Sequence, residues 1–120
     1  MVKAFDRWAS QHGISDESLI KAIDEAERGI VAARLGSDLL KLRIARKGGG
    51  KSSGFRTVIA FRRGQRAFFI DGWSKNEQDN IDEGELKALR ILAGIYLELA
   101  DRQLEDMVTH RNLRELKWQK

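Results

Sequence analysis

The hydrophobic period of this chain changes twice, and that change decides what it can fold into. Leu19, Ile20, Ile23, Ala26 and Ile30 recur at helical spacing. From Leu39 the period becomes two: Leu40, Leu42 and Ile44 alternate with Lys41 and Arg43, the pattern of a strand with one apolar and one basic face. After Asp82 the helical spacing returns in Leu86, Leu89, Leu92, Ala93, Tyr96, Leu99 and Ala100. The boundaries carry their own signals. Ser15 is a natural N-cap, followed by Asp16 and Glu17 where the helix dipole favours acids, with Ile14 and Leu19 as a hydrophobic staple. This predicts a helix from about Asp16 to Arg28 that Gly29 ends, preceded by a shorter one from about Lys3 to Gln11 that stops near Gly13. Asp82 with Glu85, and Ile81 with Leu86, repeat the same grammar.

Two further runs, Phe55 to Arg62 and Arg66 to Trp73, are rich in aromatic and β-branched residues and flank Arg63-Gly64-Gln65, as a hairpin would. Both carry apolar residues on both faces, which places them at the centre of the sheet with helices covering one side. A last helix is expected from Asp101, carrying Leu104, Met107 and Val108. The tail from Asn112 to Lys120 alternates around Leu113, Leu116 and Trp118 like a final strand. The whole describes one domain over residues 1–120, an α+β fold built on a mostly antiparallel sheet.

Charge is distributed unevenly. The chain has 22 basic and 18 acidic side chains in 120 residues. Residues 41–75 hold ten of the basic ones and a single acid, Asp71, whereas both flanks are net acidic. A cluster of this kind in the middle third is the electrostatic footprint of a polyanion-binding surface, or else the solvated outer face of strands. With no cysteine there is neither a disulfide framework nor a thiolate metal site, and without an apolar run near the length of a membrane span the expected place is the cytosol.

The stretch "GGGKSSGFR", Gly48 to Arg56, begins like a phosphate-binding loop of nucleotide enzymes. That motif needs a glycine where Ala45 stands and a helix after the serine, but the residues that follow favour a strand. The stretch therefore reads as a connection between strands whose lysine can approach a large anion. His12 and His110 lie outside the basic segment, and the acids Glu77, Asp79, Asp82, Glu83 and Glu85 read as a loop and helix start, so neither a histidine pair nor a metal site is expected. No cofactor is implied. What remains is chemistry in which the substrate supplies the nucleophile. RNA does so with its 2′-hydroxyl, and a protein that aligns the backbone and supplies cations promotes its cleavage. Lys51, Arg56 and Lys75 suit that work: arginine clamps the phosphate whose charge grows, and a lysine among other cations exchanges protons.

The stretch "GKSSGFRTVIAFRRGQRAFFIDGWSKNEQDNI" resembles the core of RelE/ParE-type toxins of bacterial toxin–antitoxin modules, in particular the HigB-like RelE group, whose members show GKSGG(Y/F)R followed by KNExxNI. Ser53 stands where glycine is usual. The resemblance spans about residues 3 to 108. It implies a small RelE-like fold, a curved sheet with N-terminal helices and a C-terminal helix packed on it. It also implies an endoribonuclease that cuts mRNA on the ribosome by 2′-hydroxyl attack, and a cognate antitoxin, often of helix-turn-helix type. By position it assigns catalysis to Lys51, Arg56 and Lys75, and RNA binding to Arg43, Arg46, Lys47 and Arg62. The tyrosine or histidine that relatives use as proton acceptor has no counterpart here, since Tyr96 falls in a predicted core helix, and Lys51 or Lys75 is left to take that part. ParE relatives that poison DNA gyrase, and non-catalytic nucleic-acid-binding regulators, share the same basic sheet.

Overall fold

The computed structural model describes residues 1–45, 54–74 and 81–116. Its elements run α1 (Lys3–Gln11), α2 (Asp16–Glu27), β1 (Ala33–Gly36), β2 (Leu39–Ile44), β3 (Phe55–Arg62), β4 (Arg66–Ser74), α3 (Glu83–Leu97) and α4 (Asp101–Thr109). The strands form one antiparallel sheet in the order β1-β2-β3-β4, the α+β arrangement expected from the change of period.

Local chemistry sets the helix ends. The Ser15 hydroxyl accepts the Ser18 N–H at 3.1 Å, and the Asp82 carboxylate accepts the Glu85 N–H at 2.8 Å, each satisfying an otherwise orphan donor. At the end of α2, Gly29 takes φ 82°, its N–H donates to Ala26 and the next N–H, of Ile30, donates to Glu25. This paired pattern is the Schellman close that a glycine permits. The end of α4 makes the same closure through Arg111 at φ 62°, where a side chain stands in the region that favours glycine.

Two stacked aromatic pairs locate the layers. Phe5 of α1 lies on Phe69 with ring centroids 5.1 Å apart, and Tyr96 of α3 lies on the adjacent Phe68 at 5.2 Å. Neighbouring residues of a strand point to opposite faces. Helices therefore cover both faces of the sheet, a correction to the expectation of one, and the apolar pattern on both faces of β3 and β4 is the mark of such double cover. On the α1 side Gly72 is required by close approach, because a Cβ there would overlap the Trp8 ring.

Three other expectations change. β1 is not legible in the sequence: its turn to β2 uses Ser37 at φ 52° and Asp38 at φ 63°, a two-residue hairpin turn without the usual glycine signal. β4 lies at the sheet edge instead of the centre, and the N–H of Val2 caps part of that edge by donating to the Phe69 carbonyl at 3.1 Å. The expected last strand is, among the described residues, one isolated bridge between Leu113 and Val2. Leu113 is buried but its partner is the short N-terminal segment, too brief to build a ladder; Trp118 lies outside the described residues. Arg114 instead ties the helices together, donating to Asp6 of α1 at 3.0 Å and gripping both carboxylate oxygens of Asp16 at the start of α2.

Candidate functional site

Ile44, Phe55 and Ser74 pair across the sheet, so the end of β2, the start of β3 and the end of β4 lie together. The chain continues from there into the segments that carry Arg46, Lys47, Lys51 and Lys75; these four residues lie outside the described residues. One position inward, Arg43 stands opposite Arg56, and Arg56 stands opposite Trp73. Two positions further on the same face come Lys41, Val58 and Asp71. The face is fixed by Gly72, whose missing Cβ would meet Trp8 on the α1 side, so Asp71 and Trp73 on either side of it point the other way.

The Arg43–Arg56–Trp73 row is open at one end and closed at the other. Arg43 is exposed, Arg56 is 7% exposed and Trp73 is 4% exposed. Arg56 Nη1 donates to the carbonyl of its neighbour Phe55 at 3.5 Å. Trp73 Nε1 is buried with no hydrogen-bond partner among the described residues. Buried indole N–H groups nearly always find an acceptor, and an unmade bond costs about 1–3 kcal/mol. Two arginines directly opposite each other on one sheet face also repel.

At the other end of the same sheet face Arg62 and Arg66 are likewise opposite each other, and protein groups neutralise them. Arg62 pairs with Glu98 and Asp38 and donates to the Leu97 carbonyl at 3.2 Å. Arg66 pairs with Asp101 at 2.8 Å and donates to the Tyr96 carbonyl at 3.2 Å. Together they hold the C-terminal carbonyls of α3, where cations are favoured. Arg43, in contrast, makes no ion pair among the described residues. The structure thus brings Arg43 and Arg56 together and sets Arg62 six residues along β3 from Arg56, about 20 Å at strand spacing.

Asp71 is half-buried, and its Oδ1 accepts the N–H of Gly72 at 2.9 Å. Burial raises its pKa above the ordinary carboxylate value, with the Gly72 N–H opposing. Thr57, on the far face of β3, donates its hydroxyl to the Asp71 carbonyl at 2.9 Å and fixes the backbone of this residue. Neither Asp71 nor Trp73 stands out as a site residue in the sequence. A signal for Asp71 exists, since it is the single acid among ten bases, but nothing in the sequence tells which face it occupies. His12 and His110 are exposed at helix ends, each with Nδ1 on a carbonyl of its own helix. Tyr96 is stacked on Phe68, and burial raises its pKa. Among the described residues no three of His, Asp and Glu come together in a way that could hold a metal ion.

The described residues form a small α+β protein with Arg43 and Arg56 opposed at one end of its sheet. Residues 1–116 match the family model described as the RelE toxin of the RelE/RelB toxin–antitoxin system. The chain belongs to the RelE toxin family. No curated protein and no solved structure matches it. No helix of the described residues is long and apolar enough to cross a membrane.

Proposed function

We propose that this chain is the toxin of a type II toxin–antitoxin pair and that it inhibits translation as a metal-independent endoribonuclease, cutting mRNA on the ribosome. The observation that carries this reading is the Arg43–Arg56–Trp73 row: two opposed cations and a buried unpartnered donor at the sheet end from which the lysine-bearing segments continue. In this reading Arg56 clamps the scissile phosphate. Its burial matters, because a guanidinium held away from water is little screened and needs no reorganisation as charge develops on the phosphate. Arg43, with Arg46 and Lys47 beyond it in the chain, holds the flanking backbone, a contact that answers to phosphate and carries no base information. Lys51 and Lys75 exchange protons with the reacting oxygens. Arg62 is assigned to the end of α3 in preference to RNA, on the strength of its bonds there.

The 2′-oxygen attacks the adjacent phosphorus, the bond from phosphorus to the 5′-oxygen breaks, and the products carry a 2′,3′-cyclic phosphate and a 5′-hydroxyl. A cognate antitoxin, of helix-turn-helix type in our reading, blocks the toxin until it is removed. The test is to map mRNA 5′ ends after brief induction of the wild type and of Arg56→Ala. New ends in coding regions with the wild type, and their loss with the variant, are expected. Growth arrest with DNA-damage signalling and no new ends would replace this reading by inhibition of DNA gyrase through binding.

A further inference from the structure

The ribonuclease reading gives proton exchange to Lys51 and Lys75 jointly, and the position of Asp71 supplies a carboxylate for one half of it, the proton of the attacking 2′-hydroxyl. We propose that Asp71 is the general base of this site, a catalytic carboxylate set on the sheet face that clamps the phosphate. The inference rests on the ribonuclease reading and deepens it.

Placement comes first. Asp71 precedes Trp73 by two residues on β4 and lies diagonally across from Arg56 on β3, both on one face. Such neighbours have Cβ atoms about 7 Å apart or less, within reach of a group bound between them. A phosphodiester held by Arg56 therefore has its adjoining ribose within range of the Asp71 carboxylate. A bulge strengthens the case: the register shifts between Val58 and Ile59, where β4 opposes Ile59 with Phe69 and Val58 with Asp71, so Ile70 is the extra residue immediately before Asp71. Bulges re-aim side chains and concentrate at sites of function.

Orientation comes second. One carboxylate oxygen accepts the Gly72 N–H, and the Thr57 hydroxyl holds the Asp71 carbonyl. The second oxygen is thereby presented in a fixed direction. Half-burial keeps the carboxylate less solvated than a surface acid and makes it a stronger base, the direction of its displaced titration. Lys41 and Arg43 of β2 and Arg56 of β3 share its face. On the covering helix α3, Arg90 is occupied by the Leu35 carbonyl and Glu83, Glu85 and Lys87 are exposed, and Glu98, just past its end, pairs with Arg62. On the opposite face α1 brings Lys3, Asp6 and Arg7. No other carboxylate lies in the strands β2, β3 and β4.

The step balances. The Asp71 carboxylate accepts the 2′-hydroxyl proton as the bond between the 2′-oxygen and phosphorus forms. The bond to the 5′-oxygen breaks with its electron pair on that oxygen, which takes a proton from water. Loss of the captured proton to solvent returns Asp71 to its starting state.

The experiment measures single-turnover cleavage of mRNA on programmed ribosomes between pH 5 and 8 by the wild type, Asp71→Asn and Asp71→Glu, with folding of each checked by thermal melting. Asparagine preserves the acceptor for Gly72 and removes the base. Asp71→Asn is expected to bind programmed ribosomes as the wild type does, to cleave about 10²–10⁴-fold more slowly, and to lose the fall in rate toward acid pH. Asp71→Glu, which restores a carboxyl, retains that fall at a reduced rate. A wild type that cleaves while Asp71→Asn keeps both its rate and its acid limb overturns the assignment of Asp71 alone. A wild type that does not cleave at any pH overturns the ribonuclease reading and the assignment with it. Should Asp71→Asn melt below the assay temperature, Asp71→Glu decides: loss of the acid limb there contradicts the proposal.

Discussion

Arg56 stands directly opposite Trp73 across the β3–β4 pair, and the indole N–H of Trp73 ends in the protein interior without a partner among the described residues. A buried indole N–H without an acceptor is costly to folding. In the ribonuclease reading both groups turn to the same phosphate.

Replacing Trp73 by Phe separates the two effects. Phenylalanine keeps most of the apolar body and removes the orphan donor, so stability in urea is expected to hold or to rise by up to about 1–3 kcal/mol. Cleavage should fall by about tenfold, the value of one hydrogen bond in the transition state. A loss of stability with unchanged cleavage would make the indole a packing residue only.

Gly72→Ala tests the close approach of α1 to β4. The added methyl overlaps the Trp8 ring, and forcing an extra group into a packed contact costs about 1–3 kcal/mol. Denaturant melts should show that loss. Trp8→Leu in the same chain is expected to recover part of it, because the strain lies in the contact and not in the glycine's own backbone angles.

The fold is legible in the sequence where local signals are strong. Ser15 and Asp82 cap the helices they are expected to cap, Gly29 ends α2, β2 falls where the alternation places it, and β3 and the β3–β4 hairpin fall where the aromatic and β-branched runs place them. What the sequence withholds depends on contacts between distant segments. β1 has four residues and a turn of serine and aspartate, so it announces itself only by pairing with β2. Double cover of the sheet is hidden for a related reason: apolar residues on both faces suit a central strand as well as an edge strand buried by helices, and β4 is the latter. Of the candidate site, Arg56 can be named from the chemistry that the basic cluster suits and Arg43 from the family resemblance, but their opposition to each other and to Trp73 is a matter of register, which no single strand encodes. Arg62 is like its basic neighbours in sequence and is set apart only by the end of α3 that it holds.

That difference predicts a split between Arg62 and Arg43. Arg62→Ala should lower the melting temperature, since Leu97, Glu98 and Asp38 lose their donor, and leave cleavage by the folded protein unchanged. Arg43→Ala should do the reverse, sparing the fold and weakening RNA binding with a shallower salt dependence. Melting curves and RNA titrations at several salt concentrations on the two variants check both halves.

The tie between the last segment and the first helices is expected to depend on pH. The hydrogen bonds from Arg114 hold the Asp16 carboxyl below its ordinary value of 3.8. A carboxyl with a depressed folded-state pKa stabilises the fold above its unfolded pKa, and that contribution is lost as pH falls through the folded one. Asp16→Asn should therefore lower stability at pH 7 by no more than about 1 kcal/mol, the range of an exposed ion pair. The difference from the wild type should begin to shrink below about pH 4, and it closes only once pH falls past the depressed folded value. Melting temperatures of the two proteins at pH 7 and at pH 3 measure it.

The sheet end around Arg56, in this reading, cuts RNA with the substrate's own hydroxyl as nucleophile. The measurement that meets this most directly is the end chemistry of mRNA incubated on programmed ribosomes with purified protein. Fragments bearing 2′,3′-cyclic phosphate and 5′-hydroxyl ends are expected, formed by the wild type and absent with Arg56→Ala. Intact mRNA, or fragments with 3′-hydroxyl and 5′-phosphate ends, would contradict it.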